Sequence, residues 1–214
     1  MSKFPKKVFF ALFAFFLISS FALQSNAGGY SNLYDFESSS SGSSPRDSLL
    51  ESNGKLYGLV SDGGSNGYGV MFEFDPSNVG NEYTVLHNFD YGTGSDPNGT
   101  LLESNGKFYG LASDGGVHAD SVIFEYDPAD IGDEYSLLYE FDNPTGGTPN
   151  GSLIESNSKF YGVTFNGGAH NGGVIFEYDP ANIGSEYSVL YDFNSPTGNS
   201  PYDSLLESNG KFYG

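Results

Sequence analysis

The ten residues at 49–58, LLESNGKLYG, return almost unchanged at 101–110, 153–162 and 205–214, each start falling 52 residues after the last. A fixed period of this size is the mark of a repeat architecture, in which each unit buries its apolar surface against its neighbours. Whatever such a chain binds is then met by equivalent loops of successive units. No single stretch spells out a reaction.

Within residues 101–152 the pattern resolves into four short strands. LLES at 101–104 is an apolar–polar stretch closed by Asn105-Gly106, a pair that tolerates the positive φ of a type I′ turn and is the strongest local hairpin signal. KFYGLA at 107–112 is the return strand, and Asp114-Gly115-Gly116 opens a glycine-rich connection. SVIFEYD at 121–127, rich in β-branched and aromatic side chains, is the third strand. Pro128 ends it, as Pro76 and Pro180 do in the neighbouring units. YSLLYEF at 135–141 is the fourth strand, and 142–151 leads into the next unit. No segment holds a 3.6-residue apolar period and glycine punctuates every one, which disfavours a helical solenoid. Four short antiparallel strands per 52 residues predict an all-β, β-propeller-like tandem array of four-stranded antiparallel blades. Units at 49–100, 101–152 and 153–204 follow a strand at 30–36 that matches 187–193, and a further unit begins at 205. The array is therefore expected to be incomplete, an open arc or a ring with one blade lacking its apolar third strand.

Ahead of the repeats, Lys3, Lys6 and Lys7 precede the uncharged run VFFALFAFFLIS at 8–19, and Ser25-Asn26-Ala27 offers small residues for cleavage. Residues 1–27 are expected to be a signal peptide. The run is short for a span of about 20 residues, so no stable membrane insertion of the mature chain is expected and the localisation is secreted or cell surface. With no cysteine, a lipoprotein anchor is excluded, and stability rests on packing and strand pairing. Residues 28–214 hold five basic and 27 acidic side chains, a net charge of about −22 against −19 for the whole chain. Such a surface repels nucleic acid and anionic membranes. It also keeps an exported protein soluble.

Repeats 101–152 and 153–204 align without a gap and agree at 32 of 52 positions, so the differences carry more information than the matches. Gly106 becomes Ser158, Asp114 becomes Asn166, and Ala119-Asp120-Ser121 becomes Asn171-Gly172-Gly173, while VIFEYDP is unchanged. A constant scaffold with variable loops is the layout of a binding protein. In a four-stranded blade the connection between strands two and three lies on the same side as the link to the next blade. The loops at 62–69, 114–121 and 166–173 should therefore share a face with the links at 90–99, 142–151 and 194–203. Candidate ligand-binding residues on that face are Asp62, Asn66, Asp114, His118, Asn166 and His170.

Each of these signals also has a plainer explanation. His118 and His170 are 52 apart, with Asn66 at the same place in the first unit. Two imidazoles can bind a metal, but equivalent loops of adjacent blades lie too far apart for one coordination sphere unless they sit at the central axis, so solvated loop histidines and no metal site are expected. His87 stands where the other units have Tyr139 and Tyr191 and reads as a packing variant. The carboxylates Glu51, Glu103, Glu155 and Glu207, and Asp75, Asp127 and Asp179, recur in every copy. That argues against a glycosidase-type acid/base pair, which needs two unlike environments. An Asp before Pro caps its own turn. GSDPNG at 94–99 is a fragment of a calcium loop, which leaves structural Ca²⁺ as the one cofactor to consider. Lys55, Lys107, Lys159 and Lys211 follow each hairpin turn, solvated near Glu51 and its equivalents. Phe72, Phe124 and Phe176, like Phe89, Phe141 and Phe193, fall where blade-to-blade packing needs bulk.

The words KFYGVT at 159–164, Gly167-Gly168, GGVIFE at 172–177 and VLYDF at 189–193, with Thr197-Gly198 and Pro201, resemble the GloVer (Gloeo/Verruco-type) tandem repeats of exported bacterial proteins. The likeness spans residues 30–214. It implies an exported, propeller-like array and brings no established catalytic residues with it. The double glycine and the YDP word are also similar to kelch repeats, with Tyr83, Tyr135 and Tyr187 where those carry Trp. The expected function is non-enzymatic: blade loops that bind extracellular carbohydrate or a surface macromolecule. The alternatives are a secreted polysaccharide hydrolase or lyase, and a passive spacer. An active site needs one unit to carry polar groups the others lack, whereas a binding array tolerates near-identical copies.

Overall fold

The computed structural model describes residues 32–36, 40–118, 120–196 and 198–214. They fall in two units, Met1–Asp35 and Phe36–Gly214. Within the first, Asn32 Nδ2 donates to the Asp35 carboxylate. The expected signal peptide at 1–27 lies outside the described residues, as do Tyr30 and Ser31. Residues 32–36 are not part of a strand, contrary to the expectation for 30–36. Among the described residues no helix is long and apolar enough to cross a membrane.

The second unit is all antiparallel β-structure. The first blade holds β1 (Ser43–Pro45), β2 (Leu50–Ser52), β3 (Lys55–Asp62), β4 (Val70–Phe74) and β5 (Tyr83–Asn88), with β1 and β2 both paired to β3. The second holds β6 (Ser95–Ser104), β7 (Lys107–Asp114), β8 (Val122–Tyr126) and β9 (Tyr135–Glu140). The third holds β10 (Ile154–Ser156), β11 (Lys159–Val163), β12 (Val174–Tyr178) and β13 (Tyr187–Asp192), and β14 (Leu206–Ser208) and β15 (Lys211–Tyr213) form a hairpin after it. The sheets follow one another in tandem and none closes into a barrel, as a propeller-like array requires.

Local chemistry explains the hairpins. Asn53-Gly54, Asn105-Gly106, Asn157-Ser158 and Asn209-Gly210 all have positive φ at both residues, the type I′ geometry that matches strand twist. Ser158 holds φ 62° without glycine's freedom. Asp75, Asp127 and Asp179 cap their own turns, accepting the amides of Ser77, Ala129 and Ala181 at 2.8, 2.9 and 3.0 Å. The lysines differ from expectation. Lys55, Lys107 and Lys159 reach across the sheet to Glu73, Glu125 and Glu177 at 2.8, 2.8 and 2.7 Å, with Asp75, Asp127 and Asp179 also within ion-pair range. An extended Lys side chain spans to the neighbouring strand more readily than back along its own hairpin, where the Glu51 carboxylate is already taken by the Gly54 amide at 2.9 Å.

The core lies between blades. Phe89, buried completely just after β5, meets Phe124 of the second blade edge-on at 5.2 Å, and Phe141 meets Phe176 at 5.3 Å. Phe36 meets Phe72 at 5.3 Å in the same way, so the aromatic register extends to residue 36 even without strand pairing. Each fourth-strand tyrosine ties down the preceding link. Tyr83, Tyr135 and Tyr187 donate to the carbonyls of Ser41, Thr93 and Thr145 at 2.5, 2.7 and 2.5 Å. His87 is the packing variant expected, stacked on Tyr135 at 3.9 Å as Tyr139 is on Tyr187 at 4.0 Å. Burial lowers its pKa to about 4.

In the second blade the first strand is longer than the pattern predicts. β6 takes in half of what reads as a link, and its pairing passes from Asn98↔Leu111 to Leu102↔Tyr109 through a bulge. Pro97, Gly99 and a left-handed Asp96 (φ 52°) disguise this stretch as a turn. Leu101 is buried within the bulge, and main-chain amides here and at the equivalent place in the third unit face the adjacent blade. Thr100 N donates to Ser152 Oγ at 2.7 Å, Ser152 N to Ser204 Oγ at 2.8 Å, and Gly99 N to Asp47 Oδ2 at 3.0 Å. Each bond joins residues 52 apart. Gly99 must be glycine here, because its φ is +81° and a Cβ would sit 2.5 Å from the Gly151 carbonyl.

Candidate functional site

Two connections of each unit meet on one face, as the loop argument requires. Gly116 N donates to Tyr91 O at 2.9 Å and Gly168 N to Asn143 O at 2.8 Å, so each glycine-rich loop is laced to the link that enters its blade. Between the second and third blades this lacing leaves a polar groove of about 360 Å³ lined by Asp96, Ser113, Asp114, Asp120, Asn143, Gly147, Thr148 and Asn166. The groove unites two of the six candidates, Asp114 from one blade and Asn166 from the next.

Both walls are braced from within. Ser113 Oγ donates to the Asp96 carbonyl at 3.0 Å, and Asp114 Oδ1 accepts the Gly115 amide at 2.8 Å. Opposite, Gly147 and Asn166 form a two-bonded bridge, and Asn166 Nδ2 donates to Thr148 Oγ1 at 3.3 Å. Asp96 and Thr148 are both left-handed, at φ 52° and 50°, and both precede proline. A β-branched residue in that region stores strain of about 1–3 kcal/mol that surrounding bonds must hold.

The other four candidates do not line the groove. Asp62 ends β3 opposite Ser43. Asn66 Nδ2 donates to the Phe89 carbonyl at 3.1 Å. His118 Nδ1 lies 3.5 Å from Glu140, and His170 Nδ1 lies 3.1 Å from Asp192. These carboxylates end the fourth strand of the same blade and also clamp the loop main chain, Glu140 through Val117 N at 3.1 Å and Asp192 through Ala169 N at 2.7 Å. Partial burial acts to raise the Asp192 carboxyl, but the Ala169 amide and His170 outweigh it and hold it below the usual range. The two histidines are thus loop clamps, each turned to its own blade. Among the described residues no three His, Cys, Asp or Glu side chains converge to hold a metal.

Catalysis by two carboxyls needs one of them raised toward neutrality. Three carboxyls of the blades shift the other way. Asp75 is lowered first by the Ser77 hydroxyl, Asp127 by the Ala129 amide, and Glu177 by Lys159.

Two features escaped the loop argument. Tyr68 and Tyr91, each about two-fifths exposed, pair at 5.9 Å on the seam between the first and second blades. Tyr68 O accepts the amide of Asp96, a residue that also lines the groove, while neither ring does. Tyr68 interrupts the glycine-rich loop where the later units carry Asp120 and Gly172, a difference visible in the sequence. The second is a pocket of about 260 Å³ lined by Arg46, Asp47, Asn98, Asn150, Tyr202 and Asp203, all from the first-strand segments of successive units.

Residues 20–132 and 130–214 match the family model described as the Gloeobacter/Verrucomicrobia repeat. No curated protein sequence matches the chain.

Proposed function

The chain belongs to the Gloeobacter/Verrucomicrobia repeat family, and on that footing we propose that it is an exported, non-enzymatic protein that binds extracellular carbohydrate on its loop face. The observation that carries this reading is the groove shared by Asp114 and Asn166, with an exposed tyrosine pair on the neighbouring seam. Carboxylates and a hydroxyl on one wall, with amides and a hydroxyl on the other, suit the alternating donors and acceptors of sugar hydroxyls. The apolar ring faces of Tyr68 and Tyr91 suit the C–H faces of pyranose rings. Asp120 and Asn143 have side chains with no hydrogen-bond partner among the described residues, and so are available to a ligand. The acidic surface disfavours nucleic acid and anionic membranes.

The test is affinity electrophoresis and calorimetry of residues 28–214 against a panel of neutral soluble polysaccharides. Asp120→Ala and Asn143→Ala should each weaken binding at least tenfold while leaving the thermal midpoint unchanged. Wild-type affinity in both variants overturns the groove as the binding surface.

A further inference from the structure

The repeat is most nearly exact in its strands, and besides the glycine-rich loops its symmetry breaks around the pocket that the first-strand segments share. Positions 46, 98, 150 and 202 carry Arg, Asn, Asn and Tyr, and positions 47, 99, 151 and 203 carry Asp, Gly, Gly and Asp. Position 165, Phe where the earlier units have Ser61 and Ser113, breaks with them. Phe165 meets the Tyr202 ring edge-on at 6.1 Å and leaves Tyr202 69% exposed. A ligand without fourfold symmetry is gripped only by unlike groups, and this is where unlike groups converge.

We propose that this pocket is a second carbohydrate site, separate from the groove, that takes one neutral sugar ring stacked on Tyr202. The geometry sorts its groups into those already used and those left for a ligand. Asn98 is engaged at both atoms, its Nδ2 donating to Asn150 Oδ1 at 3.3 Å and its Oδ1 accepting the Gly99 amide at 3.2 Å. Asp47 Oδ2 holds the Gly99 amide at 3.0 Å, and Asp203 Oδ1 holds the Ser204 amide at 2.7 Å. What remains is the second oxygen of each Asp, the Asn150 Nδ2 hydrogens and the exposed ring of Tyr202. This is a set of acceptors, a donor and an aromatic plane, the combination that vicinal hydroxyls and a C–H face require. Arg46 faces Asp96 at 3.8 Å, and two carboxylates outweigh its charge, so an anionic sugar is disfavoured against a neutral one. The volume, below that of drug-sized pockets, limits occupancy to a small ring.

The ligand class rests on the reading of the chain as a carbohydrate binder, but the residues do not overlap those of the groove. The experiment uses residues 28–214 with methyl α- and β-hexopyranosides, read by saturation-transfer NMR with irradiation of the aromatic protons and by titration. The wild-type chain should transfer saturation to the ring protons of at least one glycoside. Tyr202→Ala should abolish that transfer and weaken binding at least tenfold, Tyr202→Phe should retain both, and Asn150→Ala should weaken binding severalfold. Ile131→Ser, at an exposed position outside both sites, should leave glycoside binding unchanged. If no glycoside binds, or if Tyr202→Ala binds as the wild type does, the inference is overturned. Loss through Asp120→Ala alone also overturns it, while leaving the groove reading intact.

Discussion

The glycine of the KFYG word is enforced by a ring on the next strand. A Cβ at Gly110 would lie 2.4 Å from Cζ, 2.8 Å from Cε1 and 3.1 Å from Cε2 of Phe124. That ring has nowhere to retreat, because Phe124 is completely buried and is held by Phe89 at 5.2 Å and Tyr135 at 5.6 Å. Gly58 and Gly162 face Phe72 and Phe176 at 2.7 and 2.6 Å, so the constraint repeats in every blade. Overpacking of this kind costs about 1–3 kcal/mol, and replacing glycine in a strand returns about 0.5–1 kcal/mol. Gly110→Ala should therefore destabilise by about 1–2 kcal/mol. Phe124→Leu alone should also destabilise, since it empties buried volume. Together they should be less harmful than their sum, with a coupling of about 1 kcal/mol or more, because the shorter side chain withdraws from the new methyl. Urea unfolding followed by circular dichroism measures all three variants, with equal m-values as the check on a shared unfolding process. A neutral Gly110→Ala, or additivity within about 0.3 kcal/mol, would refute the steric reasoning.

Ser158→Gly should stabilise by about 0.5–1 kcal/mol, since it relieves a left-handed L-residue, and Gly106→Ser should cost as much; thermal melts of both compare the same turn in adjacent units. The depressed pKa of His87, about 4 against a usual 6.5, makes stability fall as pH drops from 6.5 toward 4, because the unfolded chain takes up the proton first. His87→Tyr, the residue at positions 139 and 191, should flatten that part of the pH–stability profile, and an unaltered slope would show that His87 is not its source.

The fold was legible because its determinants are local. Asn105-Gly106 specifies its turn through φ alone, and VIFEY specifies a buried strand through composition, so neither depends on a distant partner. The start of the first strand was not, since Asp96-Pro97-Asn98-Gly99 carries the chemistry of a turn. What makes it a strand is a bulge stabilised by residues one whole period away. The site divides the same way. Asp114 and Asn166 could be found from the variation between copies. The tie of His118 to Glu140 could not, because it depends on a loop folding back over 22 residues onto its own sheet. Nor could the convergence of Arg46 and Tyr202, which lie three periods apart in the chain and meet only because the units stack.

The seam between blades is cut to one gauge. Its aromatic contact measures 5.3, 5.2 and 5.3 Å at Phe36, Phe89 and Phe141, and its stacked pair 3.9 and 4.0 Å, even though one pair is imidazole on phenol and the other phenol on phenol. Interchangeable joints of this kind let unequal recombination lengthen or shorten the gene by whole periods without spoiling a fit. An extra copy of residues 101–152, spliced in after itself, would create a joint of Tyr139 and Phe141 with Tyr135 and Phe124, built from the same ring types as the present ones. The number of units is then a heritable variable that drifts independently of the fold, while any ligand that reads several first strands at once selects one count from that supply.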